Sequence, residues 1–245
     1  MKFITHGEER NKKLMMIHGM GNTSSVFDPI LGYLRDYYVI VCELDGHSVG
    51  DDSRFKSVKD SCEKIEEYVN KNLNGELYGL LGFSLGGTIA VELLSRGKIK
   101  VYRTILDAAF VIKMGPLTYP YKLLFQGAIW CLKKGISLPK PLAESIMGKG
   151  NSGIIDTLYK GVSLSSIGNA CMSVYTYEVK DTLRRYKNPI VFWYGSNELY
   201  PVKSARLLKY FLPQMKRRVF KDMGHGQALN EHPDKYADRM TCFLN

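Results

Sequence analysis

Residues 82–86 read Gly-Phe-Ser-Leu-Gly, and Ser84 is the residue of this chain best placed to act as a nucleophile. An apolar run, Leu77 to Phe83, ends at it, and beyond it Ile89, Val91, Leu93 and Leu94 recur at helical spacing. The pattern reads as strand, sharp turn and helix with one serine at the apex. A serine held in such a turn leaves little room two residues to either side, and Gly82 and Gly86, which carry no Cβ, supply that room. Leu85 opens the helix, so its N–H is unpaired within the helix and can face an anion. One turn thus offers both a nucleophile and a donor for the oxyanion it would create. The same pattern also fits an ordinary glycine-rich turn or a phosphate-binding loop, although Gly87-Thr88 lacks the Lys-Ser/Thr pair of a Walker-type loop.

A serine hydroxyl is a poor nucleophile at neutral pH. It needs an adjacent base, usually histidine, and the base needs a carboxylate to fix its tautomer and stabilise the imidazolium. Residues of these types follow Ser84 in order: Glu198 after the next-to-last strand, then His225, between two glycines, after the last. Asp107, at the end of the strand that follows the serine's helix, competes with Glu198 for the acid's part. His18 and His47 read as loop-holding hydrogen-bond partners, His6 and His232 as surface residues, Asp45 as a cap or pin for its own loop, and Tyr200 as packing.

The elements that must position these groups alternate. Short strands are predicted at Lys2 to Thr5, Leu14 to Ile17, Tyr37 to Glu43, Leu77 to Phe83, Tyr102 to Leu106, Pro189 to Tyr194 and Arg217 to Phe220. Helices are predicted on the face Val26, Ile30, Leu31, Leu34 with Thr23, Ser24 and Ser25 as N-caps, then over Val58 to Leu73, after the serine turn, beyond Pro201 and Val202 as far as Leu212, and over Pro233 to Leu244. Strands alternating with crossover helices imply an α/β fold with a mostly parallel central sheet and helices on both faces. Ligands in such sheets lie beyond the carboxyl ends of the strands. His18-Gly19, Asp45-Gly46-His47, Ser84 and Asp107 all fall there.

From Phe110 to about Arg185 the alternation stops. Gly115-Pro116, Tyr119-Pro120-Tyr121, Pro139, Pro141 and Gly148-Lys149-Gly150-Asn151 punctuate helical pieces rich in aromatic residues. The stretch reads as an inserted helical cap, residues 110–185, over a core made of 1–109 and 186–245. Most of its aromatics should pack the cap on the core, with one or two lining an apolar pocket.

Composition bounds the reading further. A chain of 245 residues with 45% hydrophobic and 24% charged residues can bury a sizeable core. No segment approaches 18 uninterrupted apolar residues, and the first residues, MKFITHGEERNKK, lack a signal peptide's apolar core and cleavage site. Cys42, Cys62, Cys131, Cys171 and Cys242 are scattered without Cys-x-x-Cys pairing, which fits reduced thiols in a cytoplasm and carries no zinc signature. The net charge is +10. Between Phe110 and Lys187 eleven Lys and Arg face four acids. That excess serves either solubility or a basic rim that attracts anionic substrates or an acidic surface. No recognised nucleic-acid motif accompanies it.

Taken together, His18-Gly19, Asp45-Gly46-His47, the Gly82–Gly86 turn, Gly195-Ser196-Asn197-Glu198 and Gly224-His225-Gly226 resemble the α/β-hydrolase superfamily over nearly the whole chain, with the cap where that superfamily inserts one. The resemblance implies Ser84 as nucleophile, His225 as general base and then acid, and Glu198 as the orienting acid, where many members carry Asp. It also implies an oxyanion hole formed by the N–H groups of Met20 and Leu85. The expected function is hydrolysis of a small-molecule carboxylic ester or thioester, an anionic one among the candidates, through an acyl-enzyme, with no metal or organic cofactor. The same residues could serve C–C bond hydrolysis, lyase or acyl-transfer chemistry, a ligand-binding protein on a hydrolase fold, or lipase action at a membrane surface.

Overall fold

A computed structural model describes residues 1–140 and 161–245. Pro141 and the Gly148–Asn151 turn of the expected cap lie outside them.

Among the described residues seven strands form one sheet, in the order β1-β3-β2-β4-β5-β6-β7. They are β1 (Lys2–His6), β2 (Lys12–Ile17), β3 (Tyr37–Glu43), β4 (Glu76–Phe83), β5 (Lys100–Asp107), β6 (Ile190–Gly195) and β7 (Lys216–Phe220). Only β1 runs antiparallel, against β3; every other pairing is parallel. Side chains of successive residues leave a strand on opposite faces, and the sequence exploits this with apolar residues at both parities. Met15 and Ile17 of β2, with Phe192 and Tyr194 of β6, join one core layer, whereas Leu14, Met16, Val191 and Trp193 join the other. Continuous apolar runs of this kind belong in a sheet covered on both faces.

On the first face lie α2 (Val58–Asn72) and α3 (Leu85–Arg96). Ser57 caps α2, its hydroxyl accepting the Asp60 N–H at 3.1 Å. Gly97, at φ +62°, closes α3 in the left-handed conformation. Against the other face packs the last helix, Pro233–Leu244, through Tyr236, Ala237, Met240 and Leu244.

Three helical expectations need correction. The face Val26 to Leu34 does not form one helix but a 3₁₀ turn, Ser24–Phe27, and a single turn α1, Asp28–Leu31. Thr23 does not cap it, because its hydroxyl is engaged with Ser25 Oγ at 2.6 Å. The helix expected only after Pro201 and Val202 starts earlier, at Leu199, and runs to Phe211, a proline being tolerated within a first helical turn. A short helix, Gln227–Glu231, was not signalled at all.

Between β5 and β6 the described residues form α4 (Thr118–Lys133) and α5 (Leu164–Tyr175), which pack against each other. The 3₁₀ turn Asp181–Arg185 packs on α3.

The tightest join of the sheet to its helices is at the start of α3. A Cβ on Gly86 would stand 2.1 Å from the carbonyl oxygen of Ile17, and one on Gly82 would stand 2.4 Å from the carbonyl oxygen of Gly86. Both neighbours are backbone and cannot swing aside. Gly86→Ala is expected to destabilise the fold by at least about 2 kcal/mol in a urea titration, whereas Gly32→Ala, with nothing within 4 Å of the added methyl, should leave the midpoint unchanged.

Candidate active site

Parallel pairing sets the carboxyl ends of the central strands side by side: Ile17 is in register with Gly82, Phe83 with Asp107, and Asp107 with Trp193. Ser84 leaves β4 at this edge. Its φ of 54° and ψ of −113° form a conformation seldom adopted by an L-residue and held only where the surroundings over-determine it. Three hydrogen bonds do so. The Ser84 N–H donates to the Asp107 carbonyl at 2.8 Å, and the Ser84 carbonyl accepts from Gly87 and Thr88 at 2.9 and 3.2 Å. The effect is to lift the serine out: it is half-buried between the fully buried Phe83 and Leu85.

Leu85 is the first residue of α3, so its N–H has no acceptor within the helix. Met20 lies two residues beyond His18 on the neighbouring strand's loop. His18 shapes that loop: Leu44 N–H donates to its Nε2 at 3.0 Å, which leaves Nδ1 to donate to the Gly19 carbonyl at 2.8 Å. Glu43 stands alongside, its Oε1 at 3.4 Å from His18 Nε2 and its Oε2 accepting the Ser24 N–H at 2.7 Å. Burial pushes the Glu43 carboxyl up, and the Ser24 N–H on Oε2 acts against it.

Glu198 and His225 meet. Their loops follow β6 and β7 and are joined by the Ser196 N–H on the Phe220 carbonyl at 2.9 Å and the Asn197 N–H on the Met223 carbonyl at 3.0 Å. Glu198 folds back so that Oε2 accepts its own strand's Gly195 N–H at 2.6 Å, while Oε1 stands 2.6 Å from His225 Nδ1. The retraction takes up the methylene by which Glu exceeds Asp. The carboxylate is buried, and the histidine keeps 26% of its side chain exposed. The imidazole also lies 4.9 Å, centroid to centroid, from the ring of Phe83, the residue before Ser84. Burial disfavours the imidazolium, yet the Glu198 hydrogen bond and charge, with Asp107 behind them, prevail and raise the His225 pKa above its ordinary value.

Asp107 is turned to a different partner. The phenol of Tyr236, from the last helix, donates to its Oδ2 at 2.8 Å. Burial, reinforced by the charge of Glu198 and opposed by Tyr236 and His225, lifts the Asp107 pKa to about 7. Nothing in the sequence tied Tyr236 to this strand end.

The remaining singled-out residues are placed as follows. His47 is fully buried and its Nδ1 donates to the Asp45 carbonyl at 2.9 Å; burial and the neighbouring His18 lower its pKa to about 4. Asp45 does not pin its own loop. It pairs with Lys64 of α2 at 2.5 Å and with the amine of Met1. The loop is held instead by Asp51, which accepts the N–H groups of Gly46 and Ser53, each at 2.9 Å. His6 is exposed; His232 is half-buried, at the start of the last helix. Tyr200 is part of an aromatic cluster that sequence reading did not resolve. Phe110 lies 5.2 Å from Tyr175 and 5.4 Å from Tyr200, and the hydroxyls of Tyr121 and Tyr200 are 3.3 Å apart. Thr88 of α3 donates to the Phe110 carbonyl at 2.6 Å, which fixes the cluster near the serine's helix. Met20 reaches the same region, its Sδ 3.7 Å from Cys171 Sγ of α5. Among the described residues no group of three or more His, Cys, Asp or Glu could hold a metal ion.

A strained serine between strand and helix, and a buried acid–histidine pair on the loops of the last two strands, sit on a seven-stranded doubly covered sheet. A family model described as the alpha/beta hydrolase family matches residues 14–239, and the chain belongs to that family. It is a hydrolase, carboxylesterase-like in its relations. The pimeloyl-[acyl-carrier protein] methyl ester esterase of Nitrosomonas europaea is 22% identical to it, over 94% of this chain and 93% of that protein. Among solved structures, an alpha/beta hydrolase family protein from Desulfitobacterium hafniense superposes with a TM-score of 0.89 at 26% identity, covering 100% of both chains. A carboxylesterase structure from Nitrososphaera gargenis superposes with a TM-score of 0.81 at 20% identity, over 99% of this chain and 93% of that one.

The Asp107 carboxyl titrates higher in the folded chain than in the unfolded one, where it has the usual value near 3.8. Folding therefore loses stability as pH rises from the unfolded value toward the folded one. Asp107→Asn removes that loss, so thermal melts should show the variant gaining on wild type between pH 4 and pH 8.

Proposed function

We propose that this chain is a serine hydrolase that cleaves a carboxylic ester or thioester through an acyl-enzyme intermediate. The observation that carries the reading is the 2.6 Å contact of Glu198 with His225 Nδ1 beside a serine held at positive φ. With Nδ1 committed to Glu198, Nε2 is the nitrogen left to take the Ser84 proton as Oγ attacks the acyl carbon. The N–H groups of Leu85 and Met20 receive the oxyanion. His225 returns the proton to the departing alcohol or thiol, then activates the water that releases the acid. Glu198, not Asp107, is the orienting acid in this reading, because Asp107 is bonded to Tyr236.

Residues 110–185 act as the cap of this site, over a core formed by 1–109 and 186–245. The cluster of Phe110, Tyr121, Tyr175 and Tyr200 is its apolar wall and the place for the acyl chain. Likeness to pimeloyl-[acyl-carrier protein] methyl ester esterases and the cationic excess of the cap favour a substrate whose ester ends an acyl chain and whose other part is anionic. A cytoplasmic setting fits the five free cysteines.

The test is hydrolysis of p-nitrophenyl esters, acetyl through palmitoyl. Ser84→Ala should lose at least about a thousandfold in kcat/KM with an unchanged melting temperature, and Glu198→Gln about a thousandfold or more. Asp107→Asn should stay within a few fold. Equal losses at Glu198 and Asp107, or an active Ser84→Ala, would overturn the assignment. The base must be neutral to act, so kcat/KM falls as pH drops through the His225 pKa. That acid limb should lie above the ordinary 6.5, and Glu198→Gln should move it to lower pH.

A further inference from the structure

Helix α4 is buried along one side only. Phe125, Ala128, Ile129 and Leu132 face the protein. On the opposite side Tyr119, Leu123, Gly127 and Trp130 recur at spacings of four, four and three, which aligns them in one stripe. That stripe is exposed and apolar: Tyr119 is 64%, Leu123 67% and Trp130 49% accessible, with Leu117 and Ile136 half-exposed just beyond the two ends of the helix. A solvated helix face is ordinarily polar, and single exposed apolar residues need no account, but a continuous stripe does.

The charges that flank the stripe in sequence are of one sign. Between Phe110 and Lys140 the sequence holds five lysines and neither Asp nor Glu. Lys122 borders the stripe with its stem laid over Gly168 of α5, and Lys134 continues it past the last turn. Neither Lys122 nor Lys134 forms an ion pair among the described residues. Tyrosine and tryptophan with leucine on one helix face, in a stretch from Phe110 to Lys140 that holds lysines and no acid, match the chemistry of the boundary between acyl chains and anionic headgroups. No helix of the described residues is long and apolar enough to cross a membrane, so the contact would be peripheral.

We propose that the Tyr119–Leu123–Trp130 face of α4, with Lys122 and Lys134, docks the protein on an anionic lipid surface. Opposite this face, Tyr121 and Phe125 belong to or adjoin the aromatic cluster above the serine's helix. Docking there would bring a bilayer to the cluster's outer side, so that an ester with a long acyl chain could pass from the lipid to the site without crossing water. The surface itself does not depend on the roles proposed for Ser84, Glu198 and His225, and the two can fail separately.

The chain has two tryptophans, and Trp193 is already fully buried, so a shift in emission on membrane contact reports Trp130. The full chain would be mixed with vesicles of phosphatidylcholine alone and with vesicles of equimolar phosphatidylcholine and phosphatidylserine. The expected result is a blue shift and co-sedimentation with the anionic vesicles only, reversed by high salt. Leu123→Glu should weaken partitioning at least about tenfold, and Lys134→Glu more than about fivefold. Both variants should hydrolyse a short soluble ester at the wild-type rate and melt at the wild-type temperature. Absence of co-sedimentation with anionic vesicles overturns the proposal, as does binding that Leu123→Glu leaves unchanged. Binding of an acidic acyl carrier protein through the same residues, without lipid binding, overturns it in favour of a protein partner.

Discussion

The contact between the Gly86 position and the Ile17 carbonyl decides much of what surrounds it. A helix cannot approach a sheet this closely if a Cβ stands between them, and the absence of that one atom brings the first turn of α3 against the end of β2. The chain leaving β4 must then turn within a single residue. Ser84 takes up the strain, anchored through its own N–H and carbonyl to Asp107, Gly87 and Thr88. The same closeness sets the loop of His18, Gly19 and Met20 beside the N-terminus of α3, where unpaired amides gather. The placement of the Ser84 hydroxyl and its surroundings therefore follows from a packing constraint.

Two carboxylates lie near one imidazole, and their environments drive them apart. Glu198 is held by two strong hydrogen-bond partners, the Gly195 amide and His225. Asp107 is buried, has the Tyr236 phenol, and feels Glu198 as a like charge, so its proton is held to about pH 7. Two acids this close could not both be charged at low cost. The fold resolves the conflict by giving one of them a neutral phenol and the other a base.

Much of this was legible in the residues. Strand positions were readable because apolar runs bounded by glycine and acidic turns have few other solutions, and the order Ser84, Glu198, His225 pointed to the contact between the last two. What escaped has a common cause: side chains whose partner is remote in sequence and whose type does not demand a particular one. Asp45 could have capped its own loop by local chemistry, and only the placement of α2 hands it Lys64, while Asp51 takes over the loop. Tyr236 reads as one more amphipathic residue until the last helix is laid under β5. The first helix was overestimated because periodicity at Val26, Ile30 and Leu34 is satisfied equally well by two short turns and the residues after them, with Pro29 in the first positions of the second turn. The aromatic cluster joins residues 110, 121, 175 and 200, and no local pattern marks such a set.

His225 hangs from β7, which stands at the edge of the sheet with a neighbour on one side only. Four of its five residues are exposed, and three of them are Lys216, Arg217 and Arg218, cations that discourage a second chain from pairing there. Edge strands of this kind open more readily than the interior of a sheet. Glu198 follows β6, one position further in. Fraying of the outermost strand would carry the histidine away from the glutamate while β2, β4 and β5 remained paired, so the Glu198–His225 contact is a property of the sheet's rim and can be lost while the core persists.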